Sequence, residues 1–205
     1  MSICPPTIGL AGGIGSGKSA IASCFEQLDC IVANADENAK KALQTDAVRC
    51  KLVDWWGSDI LNHDGSVNTS AVAEIIFEDE TERLRLESLL HPLAREMQQV
   101  QFSEATQETK ALIIDAPLLF EAGLDAFCDA IVFVDVSAEI RQKRVKESRG
   151  WSNEELKRRE TTQLPLDMKR KKADYIVVNE GNLDSVKHQV EQILDDIRTG
   201  QLEKS

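Results

Sequence analysis

The sequence predicts an α/β fold: a doubly wound parallel sheet of about five strands, with an inserted helical subdomain and a helical lid. Three observations carry this prediction. Short, nearly continuous apolar runs bounded by turn residues recur along the chain, as expected for strands buried on both faces. Helical patterns fill the gaps between them. One gap, roughly 70 residues from Asp36 to Gln107, is far too long for a simple crossover and reads as helices throughout.

The elements follow in order. "TIGLA" (Thr7–Ala11) reads as a first strand, followed by a glycine-rich loop and a helix from Lys18 to about Leu28. "CIVA" (Cys30–Ala33) is a short second strand, "KALIID" (Lys110–Asp115) a third, "AIVFVD" (Ala130–Asp135) a fourth and "DYIVVN" (Asp174–Asn179) a fifth. A closing helix runs from about Leu183 to Ile197, with Val186, Val190, Ile193, Leu194 and Ile197 at helical spacing. In the long gap, "TSAVAEIIF" opens on cap-forming residues and "ETERLRLESLL" has a helical period. After strand four, "SNEEL" marks a helix start, so the lid reads as two helices joined near Gly150. The organisation is one domain over residues 1–205, with a helical insert at 36–107 and a basic lid at 141–172.

A chain of 205 residues can bury a sizeable core as one domain. The net charge of −11 argues against general affinity for nucleic acid or anionic membrane, both of which attract basic surfaces. That charge is unevenly spread: Glu139 to Lys172 holds twelve Lys+Arg, half of the chain's 24, against six Asp+Glu. Such a segment is either a solvated helical face or a lid turned toward phosphate. The five cysteines are scattered and show no C-x-x-C pairing, which suits reduced thiols. "MSICPPTIGLAGG" lacks the basic start of a signal peptide, and the longest apolar runs are strand-sized. The expectation is a soluble cytoplasmic protein, a monomer or weak oligomer, without nucleic-acid or membrane partners.

Between strand one and the first helix, Gly12 to Ser19 spells GGIGSGKS and matches G-x-x-x-x-G-K-[ST]. Glycines let backbone N–H groups turn toward one anion, and the following helix adds the positive end of its dipole. Gly13, Ile14, Gly15, Ser16, Gly17, Lys18, Ser19 and Ala20 form the expected ATP-phosphate site. Lys18 would reach the β- and γ-phosphates, and Ser19 would ligate Mg²⁺. No N-K-x-D follows a later strand, which sets a GTPase aside, and one small domain is short for a motor. A small phosphotransferase needs a group to orient the acceptor hydroxyl, a subdomain to cover the substrate, and a cationic lid.

Asp36, just past strand two, lies on the same edge as the phosphate loop if the sheet is parallel. Its carboxylate either orients an acceptor hydroxyl or caps the helix that follows. Asp115, ending strand three, either holds Mg²⁺ or caps a turn. A single arginine on the helix after strand four is ordinarily solvated; Arg144 and Arg149 are placed to reach transferring phosphates, Arg144 foremost. His91, ahead of Pro92 in a helical pattern, is either a base or a residue packed at a kink.

Along nearly the whole chain the residues resemble the dephospho-CoA kinase family. The matching pieces are "IGLAGGIGSGKS", "ANAD", "LLHPLARE", "DAPLLFEAGL", "VFVDVSAEIRQKR", "RGWSNEEL" and "TTQLPLDMKRKKADYIVVNEG". The resemblance implies a core like that of nucleoside monophosphate kinases and transfer of the ATP γ-phosphate to the ribose 3′-hydroxyl of dephospho-CoA. Carried over by position, it implies catalytic roles for Lys18, Asp36 and Arg144. Asn179 and Gly181 match the segment near adenine. His91, Pro117, Leu118 and Glu121 match positions facing the acceptor. Three departures stand out: the family's usual Asp before "AD" is Asn34, the arginine usual four residues after Asp36 is Lys40, and the second lid arginine is displaced from Ser148 to Arg149.

Overall fold

A computed structural model describes residues 4–200, which divide into two compact units. The first comprises residues up to 33 together with those from 104 onward, and the second comprises residues 34–103.

The first unit is built on a five-stranded sheet of β1 (Thr7–Gly12), β2 (Ile31–Asn34), β3 (Leu112–Asp115), β4 (Ala130–Asp135) and β5 (Tyr175–Val178), ordered β2-β3-β1-β4-β5. The β1–β3, β1–β4 and β4–β5 pairings are parallel, with Leu10 level with Asp115 and Gly12 level with Val134. β1 is therefore central, and its carboxyl end opens where the chain crosses to one flank and then the other, which is where open α/β sheets bind ligands. The predicted α/β class holds, and the strands shift only at their ends: β2 begins at Ile31 and β3 at Leu112.

Strand alternation decides what each face buries. Ile8 and Leu10 of β1, Val132 and Val134 of β4 and Val177 of β5 pack against Ile21 and Phe25 of α1 (Lys18–Glu26). Val186, Val190 and Leu194 of the closing helix belong to the same cluster. These side chains are at most 2% exposed, so each withdraws nearly its whole apolar surface from water, about 1.5–3 kcal/mol apiece.

The second unit is helical: α2 (Ala35–Leu43), α3 (Asp46–Trp56), α4 (Thr69–Glu78) and α5 (Glu80–Ser103). Leu43, Val48, Leu52, Ile60, Val67, Val72 and Leu86 form its own core. Asn38 of α2 is buried and donates to Gln101 Oε1 of α5 at 2.9 Å, which fixes those two helices side by side.

After β4 come α6 (Ala138–Arg149), α7 (Asn153–Glu160) and α8 (Leu166–Lys172), and α9 (Leu183–Thr199) closes the chain. The two expected lid helices meet at Gly150, which stops α6 with φ +67°. The third, α8, is a correction: Pro165 stands at its N-cap and starts a helix that four consecutive basic residues conceal from periodicity. Among the described residues, no helix is long and apolar enough to cross a membrane.

Candidate active site

The turn after β1 is made by backbone conformations that only glycine adopts easily. Gly15 has φ +78° and Gly17 has φ +85°. Space demands glycine as well. A Cβ on Gly15 would lie 2.7 Å from Val145 Cγ2 and 2.9 Å from the Arg141 carbonyl, and one on Gly17 would collide with the Asn179 amide nitrogen.

α1 then starts at Lys18 with no side-chain cap and no acidic residue in its first turn. By contrast, α2, α4, α6, α7 and α9 are capped by Asn34, Asn68, Ser137, Ser152 and Asn182. The start of α1, where the positive end of its dipole lies, is thus covered by no capping side chain, an arrangement that suits an anion. Lys18 is half-buried, while Ser19 and Ala20 are exposed in the same first turn.

Side chains from far along the sequence hold this loop. Asn179, buried just past β5, donates from Nδ2 to the Ser16 carbonyl at 2.8 Å. Arg144 of α6 donates from Nη1 to the same carbonyl at 3.2 Å and from Nη2 to the Asn179 carbonyl at 3.1 Å. Arg141, one turn earlier, donates to the Ile14 carbonyl at 3.4 Å and pairs with Glu160 at the end of α7. Bonds from a guanidinium are stronger than neutral ones; Glu160 balances the charge of Arg141, while Arg144 brings its positive charge against the turn. The Ser16 hydroxyl is buried in the same turn with no hydrogen-bond partner among the described residues.

Asp115 ends β3 and is 4% exposed, level with Leu10 two residues before the loop. Beyond it, Pro117 is half-buried and Leu118 exposed. Glu121 receives the Leu164 N–H at 2.7 Å and the Lys169 ammonium at 2.8 Å, both on Oε1. Burial works against ionisation of Glu121, but these two donors outweigh it and hold the carboxyl below its ordinary pKa. A cavity of about 190 Å³ opens beside the loop, lined by Gly13, Asp135, Arg141, Leu166, Asp167 and Arg170.

In the helical unit, the capping question at Asp36 is resolved. Asn34 Oδ1 accepts from Glu37 N at 3.0 Å, so Asn34 is the cap, and Asp36 stands in the first turn with its carboxylate exposed. Lys40 lies one turn on, on the same face. His91 is exposed on α5 ahead of Pro92.

The structure thus gathers Gly13 to Ala20, Arg144 and Asn179 into one constellation. The Arg149 guanidinium instead sits over the Trp151 ring, 4.8 Å from its centroid, and Gly181 is exposed past β5 with φ +112°. Sequence reasoning assigns no role to Glu160, nor to Gln163 and Lys169 within the matching run "TTQLPLDMKRKKADYIVVNEG", and it places Arg141 only at the start of the basic lid. Arg141 is in fact 9% exposed. Its four-residue spacing to the buried Val145 was the available signal, because both lie on the stripe of α6 turned inward.

Comparison with known proteins gives a consistent result. A family model described as dephospho-CoA kinase matches residues 6–185. The dephospho-CoA kinase of Syntrophotalea carbinolica is 36% identical over 89% of this chain and 88% of its own. That of Geobacillus kaustophilus is 35% identical over 92% and 94%. A crystal structure from Thermus thermophilus superposes with a TM-score of 0.83 at 28% identity, covering 95% of this chain and 98% of that one.

Proposed function

This chain belongs to the dephospho-CoA kinase family, and we propose that it transfers the γ-phosphoryl group of ATP to the ribose 3′-hydroxyl of dephospho-CoA, giving ADP and coenzyme A. The observation that carries the proposal is the loop from Gly13 to Ser19. It combines an uncapped helix N-terminus, two glycines in left-handed conformations and two arginines bonded to its carbonyls.

Phosphoryl transfer asks for positioning and charge neutralisation more than covalent chemistry. Backbone N–H groups of the loop and the Lys18 ammonium hold the β- and γ-phosphates. Arg144, fixed on the Ser16 carbonyl, neutralises charge on the group in flight. Asp36 accepts a hydrogen bond from the acceptor hydroxyl and takes its proton as the new P–O bond forms and the bond to the β-phosphate oxygen breaks. Its exposed position in the first turn of α2 suits a group that must meet a substrate. Pro117, Leu118, Lys40 and His91 face the acceptor in this reading. Gly181 and Arg149 serve the nucleotide side.

Ser19 and Asp115 would hold Mg²⁺. Both offer oxygen, and among the described residues no cluster of three His, Cys, Asp or Glu provides an all-protein cage. That donor set fits Mg²⁺, which prefers one or two protein oxygens together with water and phosphate. When bound, the ion would supply neutralisation of phosphate negative charge. Five free cysteines, Cys24 and Cys30 among them buried, suit a reducing cytoplasm.

The test is an acceptor panel. Purified protein is incubated with Mg·ATP and dephospho-CoA, adenosine, a nucleoside monophosphate or shikimate, and products are read by mass spectrometry. Phosphorylation of dephospho-CoA at the 3′ position, at rates well above the other acceptors, is the expected result. Efficient turnover of another acceptor with no coenzyme A would overturn the assignment.

A further inference from the structure

Lys169 of α8 is a lysine with 1% of its surface exposed, the most deeply buried charged residue among the described residues of the first unit. Its Nζ lies 2.8 Å from Glu121 Oε1, 3.2 Å from the Pro117 carbonyl and 3.3 Å from Gln163 Oε1. An ammonium has three N–H donors, and three oxygens surround it. They come from two separate segments. Pro117 and Glu121 belong to the turn that follows Asp115, while Gln163 belongs to the connection from α7 to α8. Glu121 completes the knot by accepting the Leu164 N–H of that same connection. Burying an ammonium is costly unless it is fully paired, and an apolar side chain of similar length fills space more cheaply. What the charge adds is a fixed geometry between the two segments.

We propose that Lys169 is a positioning residue that locks the turn Pro117–Glu121 to the connection returning from the lid helices, so that the two move as one body during the reaction. The proposal rests on the kinase reading above, because that reading gives Asp115 to the metal and Pro117 and Leu118 to the acceptor. Glu121 then acts through Lys169 and Leu164 and not by touching substrate. The phosphate loop is held independently, by Arg141, Arg144 and Asn179, none of which bonds to Lys169. Loss of the lock therefore falls on the acceptor side and spares ATP.

Three variants test this: Lys169→Met, Lys169→Arg, and the double variant Lys169→Met with Glu121→Gln, which removes both charges so that neither is stranded. Two readouts are needed: kcat and KM with each substrate varied, and hydrogen exchange of the Leu164 amide in the free protein. In the double variant, folded by circular dichroism, Leu164 exchange rises by about 10-fold. In the same protein kcat/KM for dephospho-CoA falls by about 10- to 100-fold, while KM for ATP stays within about 2-fold. Lys169→Arg recovers part of the loss, since it restores the charge with different geometry. Two results would overturn the proposal. One is a folded double variant with wild-type Leu164 exchange and wild-type kinetics. The other is a loss shared equally by ATP and acceptor that simply tracks a lowered Tm. If the wild-type protein forms no coenzyme A, the kinase reading fails by itself, and Leu164 exchange still decides whether the lock exists.

Discussion

In the loop proposed to hold the ATP phosphates, the recognition groups would be backbone, and the side chains around it bond to its carbonyls. Asn179 and Arg144 share the Ser16 carbonyl, and Arg141 takes the Ile14 carbonyl. In the helical unit of residues 34–103 the arrangement is reversed. There the core of Leu43, Val48, Leu52 and Leu86 holds the helices, while the candidates Asp36, Lys40 and His91 stand exposed on helix surfaces. A site made of backbone resists change because any Cβ added to it strikes a neighbour. A site made of exposed side chains can exchange chemistry at little cost in stability.

Substitutions can sharpen or break this contrast. The largest effect is expected at Lys18. Lys18→Ala should lower kcat/KM by about 10³-fold, with the fold retained, because a charge at the transferring phosphates is lost. Steady-state kinetics and circular dichroism check both halves. Asp36→Ala should lower kcat by about 10²-fold and leave KM for ATP near its original value, as for a lost positioning base. A near-normal kcat would assign Asp36 to favourable charge at the start of α2 and nothing more.

Stability should respond in the opposite order. Asn179→Ala leaves the Ser16 carbonyl dependent on Arg144 and should cost about 1–2 kcal/mol, several degrees in Tm. Asp36→Ala, on an exposed surface, should change stability by less than about 0.5 kcal/mol. Equal costs at the two sites would break the contrast. The smallest effect concerns pH. Glu121 has its pKa lowered on folding, so its contribution is present above the ordinary glutamate value near 4.3 and is lost as pH falls through the folded-state value. Thermal melts of wild type and Glu121→Gln between neutral pH and about pH 3 should therefore converge at the acid end.

Much of the fold was legible because its signals are local. The apolar runs of β1, β3, β4 and β5 stand out against charged surroundings, and the glycine–lysine–serine loop declares its own turn. Strand ends were less legible, since the hydrogen bonds that end a strand depend on its partner. Lys110 lies in the predicted third strand, yet it donates to the Asp29 carbonyl ahead of β2, and β3 begins at Leu112. Within the site, glycines and Lys18 could be read from spacing, whereas the Arg141–Glu160 and Lys169–Glu121 pairs could not. Each joins residues that are distant in the chain, and nothing in a run such as "MKRKK" distinguishes the one lysine that is buried.

The most direct test of the central claim is a stoichiometry. With Mg·ATP and saturating dephospho-CoA, ADP release is followed by a coupled assay and coenzyme A by quantitative mass spectrometry in the same sample. A loop that serves phosphoryl transfer to this acceptor should give one coenzyme A for each ADP, and omitting dephospho-CoA should reduce ADP release to a small residual hydrolysis. ADP released at the same rate whether or not dephospho-CoA is present, with no coenzyme A formed, would contradict it.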